Sequence, residues 1–256
     1  MAIVRVIPVL LVNGQGLYKS VKFSNPKYVG DPINAIKIFN DKEVDELCVL
    51  DITATKEKRK PNIKLISEFA TECFMPVCYG GGISNFNDAK EVFESGIEKI
   101  AINNSAFETP ELITQIADSY GSQAVVVSID YKANIFGKQS VCTLNGTHNT
   151  KMDVVEYAKQ VEQLGAGEIL LNSIDRDGTF SGYDIAMIKK VSSAVSIPVI
   201  ACGGASSVDD LGAAVHQGGA SAVAAGSMFV FHGKLRGVLI NFPEQEELKR
   251  KLYAEK

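Results

Sequence analysis

"MPVCYGGGISNFNDAKEVFESG" (75–96) and "IPVIACGGASSVDDLGAAVHQG" (197–218) align without a gap, and every matched pair is separated by 122 residues. Pro76 falls on Pro198, Gly81-Gly82 on Gly203-Gly204, Ser84 on Ser206, Asp88 on Asp210 and Gly96 on Gly218. Backward, the same offset sets "DELCVLD" (45–51) on "GEILLNS" (167–173), with Glu46 on Glu168. Forward, it sets Ser105 and Phe107 on Ser227 and Phe229. A repeat of that length means that one structural unit is used twice.

Within each unit, short β-branched runs alternate with longer amphipathic stretches. The expected strands are Val4–Val12, Leu47–Ile52, Pro76–Tyr79, Lys99–Asn103, Ala124–Asp130, Glu168–Asn172, Pro198–Ala201 and Ala222–Ala225. They are almost continuously apolar, as parallel strands covered on both faces must be. Phe86, Ala89, Phe93 and Ile97 share one helical face, as do Val154, Ala158, Val161 and Leu164. Asp31-Pro32 is a helix start, a capping side chain before a first-turn proline. Eight such units predict one α/β domain, a (β/α)₈ TIM barrel over 1–256. It would be built from duplicated half-barrels at about 1–120 and 121–240, with a C-terminal helix over 243–256. Two independent domains are disfavoured because no Pro/Ser-rich linker lies near residue 120.

The bulk composition excludes more than it selects. A net charge of −4 gives no global attraction to nucleic acid or an anionic membrane. No apolar run approaches the ~18–20 residues that span a bilayer, and "MAIVRVIP" does not resemble a signal peptide. Five cysteines without a CxxC pair give no disulfide framework, which points to the cytoplasm. His148, His216 and His232 lack metal-ligand spacing, so neither a metal nor a cofactor is expected.

Chemistry in such a barrel belongs at the C-terminal strand ends. Gly80-Gly81-Gly82 and Gly203-Gly204 occupy equivalent positions there, with Asn103-Asn104 and Gly226-Ser227 after the fourth and eighth strands. Glycine lets backbone N–H groups approach an anion closely, so the duplicated Gly-Gly-x-Ser pattern suggests two phosphate cradles for an elongated bisphosphate. Turn chemistry alone would also use glycine. "LLNSIDRDGTFSGYD" (170–184) resembles a ligand-gripping loop, with Asp175, Asp177 and Gly178, but lacks the distal glutamate of a calcium loop. Gly14-x-Gly16 is a weak dinucleotide signal, because Lys19 stands where a third glycine belongs. The Gly-rich segment after the first strand reads as a loop. Asp130 ends the fifth strand and is placed for general acid–base work. Aligning "IPVLLV" (7–12) on "VVSIDY" (126–131) sets Leu11 against it. Leucine moves no protons, so two-acid chemistry cannot run unchanged.

"YGGGI" (79–83), "LDITA" (50–54), "GAGEILLNSIDRDGT" with "SGYD" (165–184) and "ACGGA" (201–205) closely resemble HisF, the cyclase subunit of imidazole glycerol phosphate synthase. The resemblance spans essentially the whole chain. It implies a half-barrel-duplicated (β/α)₈ fold partnered by a HisH-type glutaminase, whose ammonia crosses the barrel to attack a bisphosphorylated ribulosyl-formimino-carboxamide ribonucleotide. By that resemblance Gly82, Asn103, Gly178 and Gly204 match phosphate positions, and Asp51, Asp130 and Asp177 match polar mouth residues. Asp130 corresponds to one catalytic acid, and Lys19 to the lysine of the flexible first loop, expected with Asn104 among the substrate- and phosphate-binding residues. Arg5, Glu46, Lys99 and Glu168 match all four charged residues of the ammonia entrance. The second catalytic acid falls on Leu11, where "CLD" has become "VLL". Asn104, Ala101 and Asn172 also depart from the common Thr, Ser and Thr, and Gly226-Ser227 is an altered loop that is counted with the ligand site.

The changes gather at the ligand end, and the ammonia end is intact. The expectation is a HisF-like subunit that passes ammonia from a HisH-type glutaminase to a different acceptor. The step would be amidotransfer in nucleotide-sugar biosynthesis for lipopolysaccharide or flagellin, beside a separate sugar amidotransferase. The alternatives are an authentic cyclase of histidine biosynthesis and a non-catalytic, ligand-binding regulator of the glutaminase.

Overall fold

The computed structural model describes residues 4–233 and 235–253. Eight parallel strands close on themselves: β1 (Arg5–Asn13), β2 (Leu47–Asp51), β3 (Val77–Gly80), β4 (Lys99–Ile102), β5 (Val125–Ala133), β6 (Glu168–Ser173), β7 (Val199–Cys202) and β8 (Ala222–Ala225). Each pairs with the next, and β8 returns to β1 with Arg5 opposite Ala222 and Pro8 opposite Ala225. Helices stand between the strands, giving the single (β/α)₈ barrel that the sequence predicts. Its ends fall within one or two residues of expectation, except that β5 runs on to Ala133.

Alternation along the strands builds two cores. Outward side chains such as Val6, Leu10, Val49 and Ile129 pack with the helices in the larger one. Inward side chains line the lumen: Ile7, Val9, Cys48, Cys78, Ala101, Val126, Leu170, Ile200, Cys202, Ala222 and Ala224 are buried there, with half-buried Leu11 and Leu50 above. Small residues at Ala101, Ala222 and Ala224 keep that interior from being overfilled.

Local chemistry sets the helix starts. Asp31 caps Pro32–Asp41 by accepting from the Asn34 N–H at 2.9 Å. The repeat is visible in atomic detail after β3 and β7. Asp88 Oδ2 accepts from Ser84 N and Oγ at 3.0 and 2.7 Å, and Asp210 Oδ2 accepts from Ser206 N and Oγ at 2.8 and 2.6 Å. Ser207 and Asp210 complete a capping box. The serines of the Gly-Gly-x-Ser pattern thus serve helix starts. The C-terminal helix is Gln245–Tyr253, and the remainder of its expected span, 254–256, lies outside the described residues.

One expectation is corrected. The segment after β1 is a β-hairpin, with strands Gly16–Val21 and Ser24–Gly30. Gly14 makes the turn at φ +58, after which Tyr18 pairs back on Leu11. Leu17 is buried, and Tyr18 meets Tyr28 edge-on with ring centroids 5.7 Å apart. These contacts stabilise extended backbone where the glycines alone suggest a loop.

Candidate functional site

A cavity of about 290 Å³ opens at the C-terminal strand ends. Leu11, Lys19, Asp51, Gly82, Asn103, Asn104, Asp130, Asp177, Gly226 and Ser227 all line it. Gly178 and Gly204, predicted with them, do not. Close approach accounts for those two glycines: a Cβ on Gly178 would lie 2.3 Å from the Ser20 carbonyl oxygen, and one on Gly204 2.2 Å from that of Gly182.

Asp130 anchors the polar wall. Ser128 Oγ donates to its Oδ1 at 3.3 Å and Asn103 Nδ2 to its Oδ2 at 3.4 Å. Burial pushes the carboxyl up to about 7; hydrogen bonds from Ser128 and Asn172 oppose that rise and the nearby Asp177 adds to it. Asp177 is itself pushed up to about 6 by burial, against the pull of Lys19. A carboxyl poised near neutrality can both give and take a proton. Leu11, level with Leu50 in the β1–β2 register, puts an apolar patch on the wall that also carries Lys19 and Asp51.

Asp51 is placed at the cavity, but its carboxylate organises the loop after β2. It accepts from Thr53 N and Ala54 N, each at 3.0 Å, and pairs with Arg59 at 3.4 Å. Lys19 is 4% exposed, and its ammonium donates to the Val9 carbonyl at 2.5 Å. Burial lowers its pKa to about 8, with Asp177 opposing that fall.

At the opposite end, four charges close a ring. Arg5 pairs with Glu46, and with Glu168 at 2.8 Å; Lys99 pairs with Glu46 at 2.9 Å and Glu168 at 3.2 Å. Each lies at or beside the start of β1, β2, β4 or β6, facing the lumen. Among the described residues no cluster suited to a metal ion occurs, and no helix is long and apolar enough to cross a membrane.

A family model described as "Histidine biosynthesis protein" matches residues 5–236. A Pseudomonas aeruginosa protein provisionally named imidazole glycerol phosphate synthase subunit hisF2 is 54% identical, over 95% of this chain and 97% of the relative. A Vibrio vulnificus protein, provisionally named subunit hisF3, is 47% identical over 97% and 96%. The imidazole glycerol phosphate synthase subunit HisF of Alkaliphilus metalliredigens is 43% identical over 89% and 90%. This chain belongs to the HisF family.

Three features of this HisF-family site escape sequence reasoning. Ser128 and Cys202 line the cavity, as inward alternation two residues before Asp130 and at the end of β7 would have indicated. Asn172, noted only as a departure from Thr, lies beside Asp130 with its Oδ1 buried and unpartnered among the described residues. The wall over β2 comes from the excursion after β5, where Leu144, Asn145 and Thr147 reach the cavity and Asn145 Nδ2 donates to the Ile52 carbonyl. The Asn145-Gly146 dipeptide is the turn signal that marks that excursion.

Proposed function

We propose that this HisF-family chain receives ammonia at the four-charge ring from a HisH-type glutaminase, conducts it along the lumen, and supports its transfer to an acceptor held at the mouth. The observation that carries this reading is the contrast between the barrel's ends. Arg5, Glu46, Lys99 and Glu168 form a complete ring at the floor, whereas the mouth has Leu11 where a second acid would stand. The ring sums to zero charge, so it attracts neither ammonium nor anions strongly, and the apolar lumen above favours a neutral molecule over an ion. The acceptor is a phosphorylated small molecule, seated against Gly82, Asn103, Asn104, Gly226 and Ser227 beside Asp130 and Asp177. Gly178 and Gly204 support the loops beneath. We assign the step to amidotransfer in nucleotide-sugar biosynthesis, with a separate sugar amidotransferase, and place the half-barrel boundary near residue 120.

Genuine cyclase activity in histidine biosynthesis is the second reading. It is favoured by Asp130, whose carboxyl near 7 retains one acid–base group. The deciding assay supplies purified chain with ammonium and the ribulosyl-formimino bisphosphate. Absent turnover, together with chain-dependent stimulation of the glutaminase, supports ammonia transfer to another acceptor. Robust turnover by the unmodified chain overturns it in favour of the cyclase.

A further inference from the structure

The Lys19 amine is the buried group that this reading leaves without a task. Leu17 and Lys19 share the buried face of the first hairpin strand, so folding the hairpin onto β1 drives the lysine inward. Its Nζ reaches the Val9 carbonyl, a backbone oxygen on a lumen-lining residue of β1. Gly226, at the end of β8, makes that possible: a Cβ there would lie 2.5 Å from Nζ and 3.3 Å from the Val9 oxygen. Cys48 of β2, Cys202 of β7 and Asp177 after β6 are its electrostatic neighbours. The ammonium thus stands inside the top of the barrel against β1, β2, β7 and β8, at the floor of the cavity that Lys19 itself lines. Three N–H donors have one protein acceptor among the described residues, the Val9 oxygen.

An amine head on a carbonyl in an otherwise apolar lumen has the size and the donor chemistry of ammonia. We propose that the Val9 carbonyl, facing Gly226 at the top of the lumen, is the last docking site for one ammonia molecule, and that the Lys19 amine occupies it as a tethered stand-in that closes the path. The proposal rests on the reading of the lumen as an ammonia route. An anionic group arriving in the cavity competes for the ammonium and draws Lys19 out, so the path opens when an acceptor is present. The altered eighth loop and the leucine at position 11 then have one explanation: Gly226 gives the amine room, and Leu11 supplies no carboxylate to hold it elsewhere.

The test uses the full chain and lumen thiols as reporters. Methyl methanethiolsulfonate transfers a methylthio group to a thiol, releasing methanesulfinate and a proton. Half-buried Cys73, whose thiol burial pushes up to about 12, is the reference thiol outside the lumen within each variant, and Cys142, buried outside the lumen, reports global loosening. In Lys19→Ala, Cys48 and Cys78 should react about ten-fold faster or more than in the native chain, with Cys142 unchanged. Ammonium chloride in alkaline buffer should restore protection, and trimethylamine, with no N–H donor as the free base, should not. Unchanged lumen thiols, or equal protection by the two amines, overturn the proposal. Gly226→Ala evicts the amine without removing it and covers the case in which Lys19→Ala loosens the fold. With ¹³Cε-labelled lysine, Lys19 should titrate below the ordinary lysine value in the native chain and return towards that value, about 10.4, in Gly226→Ala. Ordinary titration in the native chain overturns it. Ammonia delivery from a glutaminase is measured separately, and its failure removes the proposed function while leaving the thiol and titration results intact.

Discussion

Lys99 and Glu46, 53 residues apart in sequence, meet at 2.9 Å on the barrel floor, and Glu46 also holds Arg5. Reversing one charge in such a ring leaves a buried carboxylate facing another. Lys99→Glu should lower glutaminase-coupled ammonia transfer by about ten-fold or more and cost about 3 kcal/mol of stability. Affinity for a bisphosphate should be nearly unchanged, because the mouth lies at the other end. Calorimetric titration of both proteins checks this, and a parallel loss of affinity would refute the division of labour.

Leu11→Asp places a carboxylate at the mouth across from Asp130. It should raise turnover of the ribulosyl-formimino bisphosphate by about 10²-fold or more, the scale of one positioned acid or base. The same change places a charge beside Leu50 and should lower the urea midpoint. Steady-state rates with ammonium at saturating bisphosphate measure the gain.

Asp130 and Asp177 have folded-state values of about 7 and about 6, both raised mainly by burial. Between the unfolded carboxylate range and those values the folded chain binds more protons than the unfolded one. Stability therefore falls as pH rises from about 4 to about 7. Asp130→Asn should flatten that decline and make the protein more stable than the native chain at pH about 8, by a few kcal/mol at most. Urea unfolding at mildly acidic and mildly alkaline pH reads both effects.

The glycines separate by what surrounds them. Gly81 has φ +116, and a Cβ there would lie 2.4 Å from the Asp51 carbonyl oxygen. Gly14 has φ +58 with nothing within 4 Å. Gly81→Ala should cost about 3 kcal/mol or more and Gly14→Ala about 1 kcal/mol, since only the first adds a backbone clash to a left-handed conformation. Equal urea midpoints for the two variants would contradict this.

Much of this was readable from residue order. Eight apolar runs, the 122-residue offset and the helix caps are local patterns, and local patterns survive because alternation and capping depend on neighbours a few positions away. The repeat sets Glu46 and Glu168 at equivalent positions, but the four-charge ring itself was implied by the resemblance to HisF and not by alternation. Other features depend on where distant segments land. The serines of the Gly-Gly-x-Ser repeat donate to Asp88 and Asp210, the third residues of the helices that follow, and so fix the chain's entry into each helix. The excursion carrying Asn145 forms a wall over a strand 93 residues earlier, a distance at which no periodicity speaks. Lys19 reads as a loop lysine, yet hairpin pairing, burial of Leu17 and the missing side chain at Gly226 turn it inward. Barrel closure decided that outcome: only when β8 returns to β1 do Gly226 and Val9 become neighbours and leave space for one amine between them.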